Sequence, residues 1–288
     1  MSVSIICPLY NAEDYINDLY IKLLAQKEVD VAEVKFILTE CHDKTEEKLI
    51  GLGANYKKIK KEEFSHSITR ENEAFSAIGD IIVFITQDIK IIDELWLKNL
   101  VSGIENGECE ASFSRQIGYE NHRLERYIRE VNYPDRSRVV SKVDIKNLGI
   151  MTFFYSDTSS AIRKDIFIEL NGYDNKYLPT NEDMYIAYKI INSGYRIKYE
   201  SESLVIHSHE FSLRDVYKRY VDIGMFFKQN SYFNKYKASK RGVRVLNHVI
   251  KRSIEERKYF IIFEAGINFF LRFLGMRIGG IKFKEERF

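Results

Sequence analysis

Residues 83–88 read VFITQD. Val83, Phe84 and Ile85 are apolar and β-prone, as a strand bound for a core requires, but the run ends on a hydroxyl, an amide and a carboxylate: Thr86, Gln87 and Asp88. A second apolar run, Ile89, Ile91 and Ile92, follows at once. A buried strand that delivers an acid at its tip is the feature to explain. Upstream, "VSIICPLYN" reads as a strand and a Pro-containing turn, residues 12–26 have helical spacing, and "EVKFILTE" reads as a second strand. In "CHDKTEEKLIGLG" Asp43 is placed to cap a helix with Glu46 three residues on, and "NEAFSAIGD" reads as a helix closed near Gly79. Strands alternating with helices predict βαβ units and a parallel sheet, whose ligand crevice lies outside the carboxyl ends of the strands. Pro8 with Tyr10, Thr39 with Glu40, and Gln87 with Asp88 converge on that rim.

Beyond "ELWLKNLVSGI" the stretch 105–147 is polar and reads as long and irregular. Order returns with "IMTFFYSDTSSAIRKDIF"; Asp183, Ile186, Ala187 and Ile190 are at helical spacing, and "RIKYESESLVIHSH" reads as a strand pair or extended arm. Residues 212–288 read as a separate helical, basic and aromatic region. From 211 onward there are 18 Lys and Arg against 7 Asp and Glu, although the whole chain of 288 residues carries only +2. Such asymmetry points to an anionic partner, a membrane surface or nucleic acid, or else to a solvated helix face. No nucleic-acid motif accompanies the charge. In "YFIIFEAGINFFLRFLGM" (259–276) Glu264, Asn268 and Arg272 recur every four residues, a polar stripe that breaks any 18-residue uncharged run. That segment reads either as an in-plane membrane helix or as a helix at a dimer or domain interface. Three cysteines without CxxC spacing predict neither a disulfide framework nor a zinc site and fit a reducing compartment. The first residues lack a basic stretch and turn polar by residue 11, unlike a signal peptide.

Three stretches can carry chemistry. Asp88 is a helix cap or turn residue, or a ligand. His207 and His209 in "VIHSHE" lie on one side of an extended chain, and a carboxylate with imidazoles suits Mg²⁺ or Mn²⁺. "NED", Asn181–Asp183, places paired acids at a helix N-terminus, where they cap or act as general base toward a hydroxyl; Glu182 and Asp183 are not ranked by sequence. In "HSITRE" Arg70 either pairs with phosphate or forms a surface salt bridge.

The order of these pieces, together with "FSHSITRENEAFSAIGDIIVFITQDIKIIDELWLKNLV" and "GYDNKYLPTNEDMYIAYKIINSGYRIKYESESLVIHSHEF", resembles the family 2 glycosyltransferases, and within them the bacterial rhamnosyltransferase branch. The resemblance covers much of residues 3–225. It implies a GT-A fold, that is, an α/β Rossmann-like mixed, mainly parallel sheet flanked by helices. The transferase domain would span 1–211, with a helical extension over 212–288 for membrane association or oligomerisation. It implies an inverting, metal-dependent (Mn²⁺ or Mg²⁺) transferase using a nucleotide-sugar donor, dTDP-L-rhamnose. The acceptor would be a hydroxyl of a cell-surface saccharide or lipid-linked oligosaccharide, and the place the cytoplasmic side of the plasma membrane. Carried over by position, Pro8, Tyr10, Thr39 and Glu40 line the nucleotide pocket, Arg70 approaches the donor, and Gln87 and Asp88 meet the metal and diphosphate. Asp183 is the base with Glu182 beside it, His207 or His209 completes the metal site, and Asp157 sits near the sugar or acceptor. The chain departs from the pattern at "LTECHDKT", at Ser67 and Glu71, and in having no second carboxylate beside Gln87. The alternatives are a UDP-hexose donor, or an inactive nucleotide-sugar-binding partner protein.

Overall fold

The computed structural model describes residues 1–237 and 241–285, with side chains described as far as 281. Nine strands form one sheet: β1 (Ser2–Leu9), β2 (Asp30–Thr39), β3 (Tyr56–Ile59), β4 (Ile81–Ile85), β5 (Lys90–Ile91), β6 (Ala111–Ile117), β7 (Arg138–Val140), β8 (Ser159–Arg163) and β9 (Ile197–Ile206). Their order is β3-β2-β1-β4-β8-β6-β9-β5, with β7 on β9. The helices are α1 (Ile16–Leu24), α2 (Thr45–Gly51), α3 (His66–Phe75), α4 (Trp96–Glu105), α5 (Arg123–Asn132), α6 (Ile145–Leu148), α7 (Lys164–Glu169), α8 (Glu182–Asn192), α9 (Leu213–Gln229), α10 (Arg241–Glu255) and α11 (Phe260–Glu285). The first four strands in the order pair in parallel, as the βαβ pattern predicts; β8 then enters antiparallel to both β4 and β6.

Strand alternation explains the layers. Every residue of β4 is buried: Ile82 and Phe84 join one core with Ala74, Phe167 and Tyr185, while Ile81, Val83 and Ile85 join a second with Ile16, Leu49 and Trp96. Helices therefore cover both faces of the sheet. The strand ends at Ile85, and Thr86, Gln87 and Asp88 form the turn that carries the chain to β5.

Several expectations are corrected. The stretch 105–147 is ordered, holding β6, α5 and β7. β6 hides from a hydropathy reading because the side chains it buries at Ser112, Ser114 and Gln116 are polar. Ser114 and Ser159 instead hold the indole nitrogen of Trp96 at 3.2 Å each, a satisfied polar knot inside the core. Residues 197–206 are one strand, not a pair. α3 stops at Phe75, short of Gly79, whose bare Cα is needed because a Cβ there would sit 2.6 Å from the Ser4 backbone nitrogen. Glu46 does not complete a capping box; its carboxylate goes to Lys58 and Tyr56, and Asp43 accepts from the backbone and hydroxyl of Thr45.

The C-terminal helices wrap onto α5. Leu124, Tyr127 and Ile128 share a small core with Val245, Val249, Ile261 and Ala265. Around it run ion pairs of Arg126 with Glu256, Arg252 with Glu130, and Arg272 with Glu125. α11 is amphipathic in the inverse sense: Asn268 and Arg272 point inward, while Phe263, Phe270, Phe273, Leu274 and Ile281 face out. No helix among the described residues is long and apolar enough to cross a membrane.

α9 and α11 cross at backbone contact. A Cβ on Gly224 would lie 2.3 Å from the Met276 carbonyl oxygen, and one on Gly279 would lie 2.0 Å from that of Val221. Backbone on the far side cannot give way as a flexible side chain can. Gly224→Ala is therefore expected to destabilise the protein by about 1–3 kcal/mol. Chemical denaturation measures this, and hydrogen exchange should rise first in α9 and α11; unchanged stability would refute the close packing.

Candidate active site

The chain turns Asp88 back toward the strands it left. β5 pairs antiparallel with the end of β9, Lys90 opposite Ile206, and this brings Asp88 beside the residues that follow β9. The Nε2 atoms of His207 and His209 each lie 3.3 Å from Asp88 Oδ2, and one ligand atom from each of the three residues falls within 4.8 Å of the others. The two imidazoles meet edge to face with centroids 4.7 Å apart. Burial works against ionising Asp88, but the hydrogen bond and charge of His207, with His209 behind it, hold its carboxyl well below the usual range. Burial pushes both imidazoles down from their usual value as well, His209 to about 4. At neutral pH the cluster is thus a carboxylate with two neutral imidazoles, the ionisation state in which all three have lone pairs free to bind a cation.

His207 is oriented from behind. Its Nδ1 lies 3.1 Å from Gln116 Oε1, and Arg129 donates to that same oxygen while Gln116 Nε2 donates to Ser156. Such outer partners set the tautomer and aim of a ligating ring.

A second group holds three carboxylates and a guanidinium. Arg70, 2 % exposed, donates to the His66 carbonyl at 2.9 Å and to Glu182 at 3.2 Å. Asp157 accepts from Ser160 and from the Tyr173 hydroxyl, each at 2.7 Å. Asp183 caps its own helix start, accepting from Met184 N. Burial, then the negative charges of Glu182 and Asp157, raise the Asp183 carboxyl well above the usual range. Asp157 is raised too, by burial first, against the pull of Arg70. Asn181 takes the left-handed conformation, φ 59°, to turn the chain into α8.

Both groups line one chamber of about 500 Å³, with Arg70, Asp88, Asp157, Glu182, Asp183, His207 and His209 in its wall. The Nε of Arg70 and the hydroxyl of Thr86, also in that wall, are buried without a protein partner. Pro8, Tyr10, Thr39, Glu40 and Gln87 lie on the same strand edge but outside the chamber wall. Gln87 is spent structurally, its amide exchanging two hydrogen bonds with the Tyr10 backbone at 2.7 and 2.9 Å. Thr39 is buried with its hydroxyl unpaired, and Glu40 is exposed.

Two departures from the family pattern explain themselves here. Glu71 accepts from the backbone nitrogens of Tyr173 and Asn175, and Ser67 donates to Lys176 O and accepts from Leu178 N. Both side chains tie down the loop that leads to Asp183. The site also contains residues that sequence reasoning passed over: Gln116 and Arg129 in the stretch read as irregular, and Val216, Arg219, Tyr220 and Arg272 from the C-terminal helices. The stripe at 264, 268 and 272 was the available signal, since a polar line on an apolar helix marks what the helix faces.

Residues 4–170 match the family model for glycosyl transferase family 2. The O-antigen chain rhamnosyltransferase RfbN of Salmonella typhimurium strain LT2 is 30% identical over 97% of this chain and 90% of its own length. The O-antigen chain rhamnosyltransferase WbaN of Salmonella anatum is 32% identical over 77% of this chain and 71% of its own. The mannosyltransferase PcManGT of Pyrobaculum calidifontis, solved with GDP-Man and Mn²⁺, superposes with a TM-score of 0.55 at 13% identity, covering 92% of this chain and 73% of that one. The family pattern spans the segments that carry Asp88 and Asp157. The chain belongs to glycosyl transferase family 2, on the branch of the bacterial rhamnosyltransferases, with a GT-A fold.

Proposed function

We propose that the chain is an inverting glycosyltransferase that moves L-rhamnose from dTDP-L-rhamnose to a hydroxyl of a growing cell-surface polysaccharide or lipid-linked oligosaccharide. One observation carries the reading: the Asp88, His207 and His209 cluster and the Asp183, Glu182 and Asp157 cluster line one and the same chamber. The first suits a divalent cation and diphosphate, the second an incoming hydroxyl. The names of the curated relatives support rhamnose and O-antigen chain synthesis.

Asp88, His207 and His209 would hold Mn²⁺ or Mg²⁺, which would supply positive charge to stabilise the departing diphosphate; the mixed oxygen and nitrogen donor set favours Mn²⁺. Arg219, on α9, has no carboxylate within ion-pair distance among the described residues and packs on the Phe211 ring at 5.5 Å. It remains available to the diphosphate in a way that Arg70, held by Glu182, does not. Arg70 instead fixes Glu182 and offsets the charge around Asp157. Asp183 takes the proton of the acceptor hydroxyl as that oxygen attacks the sugar from the face opposite the diphosphate, which inverts the anomeric centre. The Pro8, Tyr10, Thr39 and Glu40 edge is assigned to the nucleoside. Residues 1–211 form the transferase domain, and 212–288, besides contributing Arg219 to the chamber, bring it to the cytoplasmic face of the plasma membrane. The outward aromatic face of α11, whose charged member is Arg277, meets the lipid surface.

Calorimetry with dTDP, dTDP-rhamnose and UDP, with Mn²⁺ and with chelator, tests the donor side. Metal-dependent dTDP binding that Asp88→Ala loses is expected; UDP binding in its place would move the donor to a UDP-hexose and retire the rhamnose assignment. Transfer without loss on chelation would remove the metal.

The base is tested by pH. Asp183 works only when deprotonated and its carboxyl is raised, so kcat/KM should fall on acidification above the pH at which an ordinary aspartate titrates, about 3.9. Glu182→Gln removes a negative neighbour and should move that acidic limb to lower pH. An immobile limb would mean that another group is the base.

Co-sedimentation with vesicles tests the surface. Binding to phosphatidylglycerol vesicles, weakened by a combined Phe263→Ser, Phe270→Ser and Phe273→Ser change, is expected. A dimer of the 34.0 kDa chain in light scattering with no vesicle binding would assign the aromatic face to a second copy instead.

A further inference from the structure

A second chamber, of about 320 Å³, opens beside the first between α5, the 209–211 segment and α11. The two share Glu125, His209, Phe211 and Val216 as a common wall. Their charges differ. The larger chamber sets four guanidiniums, Arg70, Arg129, Arg219 and Arg272, among its five carboxylates, and Arg219 among them is open to a diphosphate. The smaller one presents the carboxylates of Glu125, Glu210 and Glu264 against Arg123 and His122, and Glu125 is paired with Arg272. Such a lining repels phosphate but accepts hydrogen bonds from hydroxyls.

Asn268 supplies an independent pointer. It is 7% exposed, it lines the smaller chamber, and its carbonyl oxygen is taken by Arg272. Its amide nitrogen has no protein acceptor among the described residues. A donor without a protein acceptor, on an otherwise buried side chain that lines the cavity, is free to bond a ligand there. Phe211 and Phe260 add apolar ring faces to the same walls, the mixture of ring and hydroxyl contacts that a pyranose offers.

We propose that the smaller chamber is a saccharide subsite. It takes the neutral sugar unit next to the one that is glycosylated, so that the enzyme reads at least two residues of its acceptor. The inference rests on the transferase reading, and its test separates the two. Saturation-transfer NMR and calorimetry, in the presence of dTDP and Mn²⁺, would compare monosaccharides with di- and trisaccharides of galactose, glucose, mannose and rhamnose. At least one oligosaccharide is expected to bind about tenfold more tightly than any of its component sugars, the size of one or two net hydrogen bonds. Asn268→Leu should bring that ratio to about one. Glu264→Gln, at the rim where no packing depends on it, should lower the ratio by a smaller factor and guards against a folding defect in the first variant. A panel in which no oligosaccharide outbinds its parts, including one in which nothing binds, overturns the subsite; so does a ratio that neither variant changes. Loss of dTDP binding itself would instead overturn the transferase reading.

Discussion

The buried guanidinium of Arg70 is the constraint around which the carboxylate cluster of the chamber is built. Asp157, Glu182 and Asp183 line one wall of a partly closed chamber, and three carboxylates in that position cannot all ionise without a nearby cation. Arg70 reaches them from a helix more than eighty residues earlier in the chain, bonding Glu182 and the His66 carbonyl. Removing a single partner of such a pair leaves a buried charge uncompensated, which costs far more than the pair contributes. The same face of α3 carries Ser67 and Glu71, one helical turn apart, and both hold the loop before α8 by its backbone. One helix therefore sets both the charge balance and the position of Asp183.

The Asp88 cluster depends on a change of strand direction. The parallel half of the sheet delivers β1, β2 and β4 tips to one rim, but a purely parallel sheet could not return Asp88 to meet a histidine pair. The antiparallel pairing of β5 with β9 does so over only two residues. Rigidity comes from beneath: β4 is buried throughout, and Trp96 is pinned between Ser114 and Ser159. A carboxylate on such a strand tip is held in place before any ligand arrives, the preorganisation that electrostatic catalysis requires.

What was legible in the sequence was what obeys period and punctuation. β1, β2 and β4 announce themselves as apolar runs with polar tips, and "NED" and "HSH" are visible because acids and histidines are rare at strand and helix ends without cause. β6 was not legible, because it buries serines and a glutamine, trading hydrophobic periodicity for hydrogen bonds that only the tertiary structure supplies. α5 was lost for a related reason: Leu124, Tyr127, Ile128 and Val131 are its whole apolar stripe, set among arginines and glutamates that find their partners on α11 and on and just after α10. Gln87 was misjudged in role rather than position, since nothing in the sequence tells that its amide is consumed by the Tyr10 backbone.

The C-terminal helices join these arguments. A polar stripe on an apolar helix admits two orientations, and the structure chooses the one that satisfies Arg272 with Glu125, Asn268 and Tyr220. Turning the stripe inward leaves the aromatic side chains outward, so the same rotation that builds a chamber wall also creates an apolar outer surface. The glycines at the α9–α11 crossing fix that rotation, because helices in backbone contact cannot roll without a clash. Surface and chamber are thus two sides of one rigid element. Whatever holds the outer face also holds Arg219, Tyr220 and Arg272 in the chamber wall, because α9 and α11 move as one.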